Sequence, residues 1–382
     1  MSTQSDYDSQ KEELAIFRDH IRRFVVNELA PHEDRWAEQQ HPDREAWQKL
    51  GEMGMLLSDV PAEYGGSGGT FAHECVVLEE LARHPVNSLA VSVHDIVAHY
   101  ILSYGTEDQK TKWLPAMARG EKIAAIGMSE PGAGSDLQSI KTRAVRDGDH
   151  FVINGSKIFI SNGYLADLIC LAVKTDQAAG ARGVSLVMVE TEGLAGYRCG
   201  RILNKLGRKG QDTSELFFDD VRVPVKNLLG PEEGAGFIQM MEQLPWERTI
   251  IAAEAVAVME RAVEITTQYT KDRQAFGAPL FAKQNTRFKL AECATAAHIG
   301  RVFLDDCIRR VMNGTLDTAT ASMAKWWTTQ KEFEVTDECL QLHGGYGYMM
   351  EYPITRLFAD GRLMRIAGGS NEIMKELIAR TL

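Results

Sequence analysis

Apolar residues recur at helical spacing through three long stretches of the C-terminal part of the chain, 237–269, 284–312 and 318–342. Most of each stretch is amphipathic, and short glycine-containing loops join them, so the pattern predicts an antiparallel bundle. A short helix over 372–381 closes the chain. The first third also reads as helical, over 12–29, 47–55, 71–83, 88–103 and 109–117, with breaks at Pro31, in the glycine-rich loop 61–70 and at Gly120. Between these regions the period changes. Short apolar or alternating runs at 151–153, 157–160, 168–173, 184–189 and 216–223 are separated by turn residues, with Asn154-Gly155 placed as a hairpin turn. Strands in succession without helices between them predict an antiparallel sheet or barrel, and not βαβ units. The expected class is α+β: an N-terminal helical domain over 1–121, a middle antiparallel β domain over 122–228 and a C-terminal four-helix bundle over 229–382.

One position breaks the bundle pattern. Phe237, Met240, Leu244, Ile251, Val256 and Met259 mark a buried stripe, and Glu247 falls on it midway between Leu244 and Ile251. A buried carboxylate is costly unless paired, and burial raises its pKa. Pattern alone leaves a structural role and a catalytic one open, and favours the first: a structural ion pair with a neighbouring arginine, or a small rotation of the helix that exposes Glu247, against a catalytic base. Glu242, the competing carboxylate, lies off the stripe.

The 382 residues suffice for two or three domains, and 44% hydrophobic with 25% charged residues is ordinary for a soluble globular protein. A net charge of -11 argues against a nucleic-acid backbone or an anionic membrane as the main partner. It leaves room for a local basic patch such as Arg201, Lys205, Arg208 and Lys209. Cys75, Cys170, Cys199, Cys293, Cys307 and Cys339 form no C-x-x-C pair, so neither a metal site nor a redox dithiol is expected. Residues 1–13 are polar and acidic, unlike a signal or transit peptide, and no apolar run reaches bilayer-spanning length; the expected location is cytoplasmic, without membrane insertion.

The string MSEPGAGSD at 128–136, just before the strands, offers small residues and two hydroxyls. It is neither a Walker loop nor a dinucleotide fingerprint, and composition alone leaves a surface turn and a ligand loop equally open. With four further strings, INGSKIFISNG at 153–163, RQAFG at 273–277, QLHGGYG at 341–347 and GGSNEI at 368–373, it closely resembles the motif set of acyl-CoA dehydrogenases. The resemblance covers nearly the whole chain, in the family's order and spacing.

The resemblance implies FAD in a cleft between the β domain and the bundle. Ile126, Met128 and Ser129 are expected on one side of the flavin ring, with Phe159, Ile160 and Ser161 on the other. Ser135 is expected at the pantetheine end of a CoA thioester. Arg273, Phe276, Gln284, Gln341, Gly344 and Gly345 are expected at the adenine-diphosphate end of an FAD bound mainly by another subunit, and Gly369, Ser370, Asn371 and Glu372 over the cofactor. Because the family's sites are completed across subunits, a homotetramer built as a dimer of dimers is implied, with electron-transfer flavoprotein as acceptor.

The chain departs from the commonest family pattern at one place. Where most members carry the catalytic glutamate before the C-terminal glycine, this chain has Gly368. Long-chain and isovaleryl-type members place it on the first bundle helix before an arginine, and EQLPWER at 242–248 resembles that arrangement. The resemblance therefore implies Glu247 as α-proton base, with the Gly368 N–H as a donor to the thioester oxygen. Arg248 would orient base or substrate, or be a helix-surface arginine. Long and branched acyl chains remain open, as do an acyl-CoA oxidase or flavin monooxygenase relative and a non-catalytic assembly scaffold. Chain length argues against the large oxidases, and Glu247 argues against the other two. His343, Trp326 and Trp327 read as packing residues.

Overall fold

The computed structural model describes residues 6–382. Its first part is helical: α1 (Asp6–Ser9), α2 (Lys11–Phe24), α3 (Glu33–Gln39), α4 (Arg44–Glu52), α5 (Phe71–Arg83), α6 (Val91–Tyr104) and α7 (Glu107–Ala118). The middle holds β1 (Ala124–Gly127), β2 (Arg143–Asp147), β3 (His150–Ser161), β4 (Leu168–Lys174), β5 (Val184–Glu190), β6 (Tyr197–Ile202) and β7 (Thr213–Pro224). The last part contains α8 (Gly236–Asp272), a small hairpin of β8 (Gln274–Ala275) and β9 (Ala278–Pro279), then α9 (Gln284–Met312), α10 (Thr318–His343), α11 (Pro353–Gly361) and α12 (Asn371–Ala379). The helix–strand–helix order is the expected one.

Local details differ from expectation, each for a physical reason. The helix expected over 12–29 is α2 followed by a wider turn over Val25–Leu29 and a tight turn at Ala30–His32, because Pro31 cannot continue an α-helical ladder. Asn154-Gly155 is not a hairpin turn. β3 runs through it, and the chain reverses instead at Gly148, whose φ is +63°. Gly155, with φ +153°, takes up a register shift against β7, a bulge that uses the same backbone freedom a turn would. The sheet is mixed: β2–β3, β3–β7, β6–β7 and β4–β5 are antiparallel, but β1 lies parallel to β4. Parallel neighbours need a long crossover, and the segment between them, carrying the MSEPGAGSD loop and the β2–β3 hairpin, supplies it.

α5 is buried on nearly every side, so it is the inner helix of the N-terminal part. Arg301 on α9 pairs with Glu79 at 2.6 Å and Arg83 with Glu260 on α8 at 3.0 Å, tying these helices to the bundle. α8 passes through Pro245, which lacks the N–H of a normal helical residue. Beyond it, residues 247–250 are buried all round, so the expected single stripe widens into a fully enclosed segment.

Candidate active site

Glu247 lies within that enclosed segment, buried, and faces α6. The Tyr100 hydroxyl, itself 0% exposed, donates to Glu247 Oε1 at 2.9 Å. Among the described residues no hydrogen bond reaches Oε2. Burial pushes the Glu247 carboxyl up to about 7, against the opposing pull of the Tyr100 hydroxyl, Arg248 and His99. The His99 ring packs against Trp246 at a tilt of 37°, with centroids 4.1 Å apart, while its Nε2 meets Asp59 Oδ1 at 2.9 Å. Arg248 is buried too; its Nη1 reaches Ser322 Oγ on α10 at 3.4 Å and its Nε has no partner. A carboxyl balanced near neutrality, with one oxygen held and the other free, can take up and release a proton.

The C-terminal glycine turn sits on the same face of α8. Gly368 and Gly369 have φ of +63° and +94°, a conformation glycine adopts without strain, and Ser370 then caps α12, its Oγ accepting from the Ile373 N–H at 3.4 Å. A Cβ on Gly368 would stand 2.4 Å from Ile251 Cδ1, one helical turn beyond Glu247. Lys325 on α10 pins the turn from below. Its ammonium donates to the Gly369 carbonyl at 2.7 Å and to Asn371 Oδ1 at 3.0 Å. Burial, and then Arg248, push Lys325 down to about 7. Asn371 is thus buried and engaged through Oδ1, whereas Glu372 is exposed.

The β-domain motifs assemble on the other side. Ile126 pairs in register with Cys170, and burial followed by the nearby Glu247 carboxylate pushes the Cys170 thiol up, which places the end of β1 beside Glu247. The Ser129 carbonyl accepts from Ile158 N–H at 3.0 Å, joining the first motif to the second. Glu130 and Lys157 lock that junction: Lys157 Nζ donates to Glu130 Oε1 at 2.8 Å and to the Met128 carbonyl at 3.0 Å. Phe159 has φ +61° and is 66% exposed, an unusual state for a bulky residue. Ser161 is half-buried, whereas Ile160 turns its side chain into the sheet core, leaving only its backbone to face outward ligands. Ser135 is exposed on the loop.

The remaining residues lie elsewhere. Arg273 begins 26 positions after Glu247, roughly 39 Å along a helix. It stands 5.5 Å from the Tyr346 ring. Phe276 is 95% exposed, and Gln284, Gln341, Gly344 and Gly345 are exposed as well. His343 packs as expected, stacked on Tyr269 at 4.1 Å with Nδ1 2.9 Å from the Cys339 carbonyl. A cavity of about 240 Å³ between α2 and α5 shares no lining residue with the Glu247 centre. Sequence reasoning missed Tyr100, His99 and Lys325. A tyrosine on α6 carries no local mark of a partner 147 positions away.

The fold and these motif positions define a member of the acyl-CoA dehydrogenase family. Family models match for the acyl-CoA dehydrogenase N-terminal domain over 11–121, the middle domain over 125–221 and the C-terminal domain over 234–382. Among its relatives is the long-chain specific acyl-CoA dehydrogenase, mitochondrial, of Mus musculus, 45% identical over 370 residues that cover 96% of this chain and 86% of the relative. The crystal structure of an acyl-CoA dehydrogenase from Geobacillus kaustophilus superposes with a TM-score of 0.94 at 46% identity, covering 97% of this chain and 98% of that one. A glutaryl-CoA dehydrogenase from Mycobacterium smegmatis, solved in complex with FADH2, gives a TM-score of 0.91 at 28% identity, covering 98% and 96%. This chain is accordingly an FAD-dependent oxidoreductase acting on acyl-CoA, from a family in which tetramers are typical.

Proposed function

We propose that this enzyme converts a long-chain acyl-CoA to its trans-2-enoyl-CoA, with Glu247 removing the α-proton. The observation that carries the reading is the Glu247 carboxyl itself: buried, poised at about 7, with Oε1 held and Oε2 free, on the face of α8 that meets the Gly368 turn. A base near the operating pH, in reach of a desolvated Cα–H, suits a weakly acidic thioester. The Gly368 N–H would donate to the thioester oxygen as charge develops there. FAD, when bound, supplies the two-electron acceptor.

Open space favours a ligand at the motif loops, since a Cβ on Gly132, Gly134, Gly344 or Gly345 would meet nothing within 4 Å. Ile126, Met128 and Ser129 would line one side of the flavin ring, with Phe159, the Ile160 backbone and Ser161 on the other, and Gly369, Ser370 and Glu372 would close over it. Asn371 would act by holding the turn through Lys325. Ser135 would meet the pantetheine. Arg273, Phe276, Gln284, Gln341, Gly344 and Gly345, exposed and outside the Glu247 centre, suit the adenine-diphosphate end of a neighbouring subunit's FAD in a homotetramer. Electron-transfer flavoprotein would be the acceptor. The 45% identity to a long-chain relative favours a long acyl chain over a branched one.

Holoenzyme mixed anaerobically with acyl-CoAs of graded length should lose its oxidised-flavin absorbance fastest with the long chains. No bleaching with any thioester would overturn the proposal. Fastest bleaching by a branched short chain would overturn the chain-length assignment.

A further inference from the structure

Two neighbouring residues of α6 grip two neighbouring residues of α8. Tyr100 donates to Glu247 Oε1 at 2.9 Å, and the His99 ring lies on Trp246 with centroids 4.1 Å apart. The contact on the carboxylate is specific to one oxygen. We infer that Tyr100 is a positioning residue for Glu247: its hydroxyl fixes Oε1, turns Oε2 toward the substrate side and stabilises the carboxylate form before proton transfer. The inference rests on Glu247 being the base and adds the residue that holds it.

The donor role of Tyr100 is unambiguous. Burial, and then the Glu247 carboxylate, hold the Tyr100 hydroxyl well above its ordinary value, so it stays protonated whenever Glu247 is charged. Tyr100 also makes no other side-chain hydrogen bond among the described residues, so its hydroxyl is committed to Glu247. A hydrogen bond to the charged form lowers a carboxyl's pKa, which offsets part of the burial effect and keeps the base competent near neutrality. Once Oε2 has taken the proton, the same hydroxyl faces a neutral acid and the bond weakens, so the stabilisation belongs to the state before transfer.

Other groups face the same carboxyl from each element packed around it. From α6 come His99 and Tyr104, the latter bonded to Glu242 at 2.8 Å. Asp59, in the loop before α5, bonds His99 Nε2 at 2.9 Å, and Glu74 on α5, itself raised by burial, lies beyond it. Cys170 faces it from β4. Arg248 is its neighbour on α8, with Ser322 and Lys325 behind Arg248 on α10. Among the described residues none of these groups forms a hydrogen bond with Glu247, as Tyr100 does, so removal of the Tyr100 hydroxyl acts on the carboxyl directly while the others act through space.

Tyr100→Phe in the holoenzyme tests this through the pH dependence of anaerobic flavin reduction by a saturating acyl-CoA. The acid limb should move up by about one pH unit, the size expected for losing one hydrogen bond to a charge, and the limiting rate measured at pH 7 should fall about fivefold because less of Glu247 is then ionised. The KM for the thioester and the flavin content should be little changed, which a general loss of packing would not produce. An acid limb and limiting rate equal to wild type would overturn the inference. Should Tyr100→Phe lose its flavin, wild-type enzyme made with 3-fluorotyrosine keeps the ring shape and strengthens the donor. Its acid limb should then move down, and an unmoved limb overturns the inference. Glu247→Gln run alongside separates the two levels. If Glu247→Gln still reduces flavin, the base assignment itself fails. If it is silent while Tyr100→Phe behaves as wild type, only the role of Tyr100 fails.

Discussion

Glu130 and Glu247 are both buried glutamates beside the proposed cofactor cleft, and their surroundings send them in opposite directions. Glu130 accepts from the Lys157 ammonium at 2.8 Å and from the backbone N–H groups of Lys141 and Thr142 at 2.6 and 3.0 Å. Burial alone would raise it, but these partners together pull the carboxyl below its ordinary value. Glu247 has one neutral donor, and burial wins. A fully satisfied carboxylate is a structural anion; an under-satisfied one keeps affinity for a proton. The pattern along α8 could not choose between these fates, because both begin with a glutamate on a buried face. The largest expected effect follows directly. Glu247→Gln should retain FAD and lose about 100- to 10,000-fold in the rate of flavin reduction, the range for removing a general base. Glu130→Gln should lose far less rate for the same chemical change, measured in the same anaerobic stopped-flow assay. Equal losses would erase the distinction.

Lys157→Met probes the other side of the contrast. It strands Glu130 as a buried charge with only its two backbone donors, and a broken buried pair costs about 3–5 kcal/mol. Urea unfolding of the holoenzyme should show a loss of that order, and Lys157→Met with Glu130→Gln should recover much of it. Because Lys157 also donates to the Met128 carbonyl, the first cofactor motif should loosen and FAD affinity should fall with stability. Stability and FAD affinity equal to wild type would mean the pair holds nothing.

The pH dependence of stability should have opposite signs at the two sites. A glutamate ionises near ~4.3 in an unfolded chain, whereas folded Glu247 does so at about 7. The folded protein binds this proton more tightly, so the group's contribution is fully present below its unfolded value and is lost as pH rises through 7. Glu247→Gln should therefore be more stable than wild type above pH 7, by up to about 4 kcal/mol, and no more stable at pH 4. Glu130, lowered in the fold, contributes above its unfolded value and loses that contribution on acidification. Other raised acids, such as Glu33 at about 8 and Asp212 at about 7, titrate alike in wild type and variant, so the difference curve isolates one group. A flat difference curve for Glu247→Gln would show that its carboxyl is not strained by burial.

Much of this architecture was legible because helical periodicity is local. α5 and α9 fall on the expected limits because their apolar spacing begins and ends beside loop residues. α10 was located correctly, but its buried face is polar: Lys325, Thr328, Thr329, Glu332 and Thr336 are all enclosed. Its threonines escape the usual burial cost by donating to carbonyls one turn back, as Thr328 does to Ala324 at 2.7 Å. Nothing in their spacing announces this. Asn154-Gly155 misled because a bulge and a hairpin turn ask the same conformational freedom of glycine, and only the partner strand decides. Tyr100 and Lys325 were invisible for a different reason, since each acts on a residue brought near solely by the packing of one part of the chain on another.

The smallest expected effect compares glycines of the two cofactor motifs. Gly368 has φ +63°, and a Cβ there would lie 2.4 Å from Ile251 Cδ1, the tip of a flexible side chain. Gly132, on the Glu130 side, has open space around its would-be Cβ and no left-handed backbone. Gly368→Ala should cost about 1–2 kcal/mol for the left-handed conformation, plus whatever Ile251 must move. Gly132→Ala should be neutral or slightly stabilising, by up to ~1 kcal/mol. Ile251→Val removes the clashing Cδ1, so in a double-mutant cycle it should relieve the part of the Gly368→Ala penalty that comes from contact and leave the backbone part. The coupling is therefore a ruler laid between the glycine turn and the helix that carries Glu247. Strict additivity would place the turn away from Ile251, and with it the Gly368 N–H away from the face of α8 on which the proposed base stands.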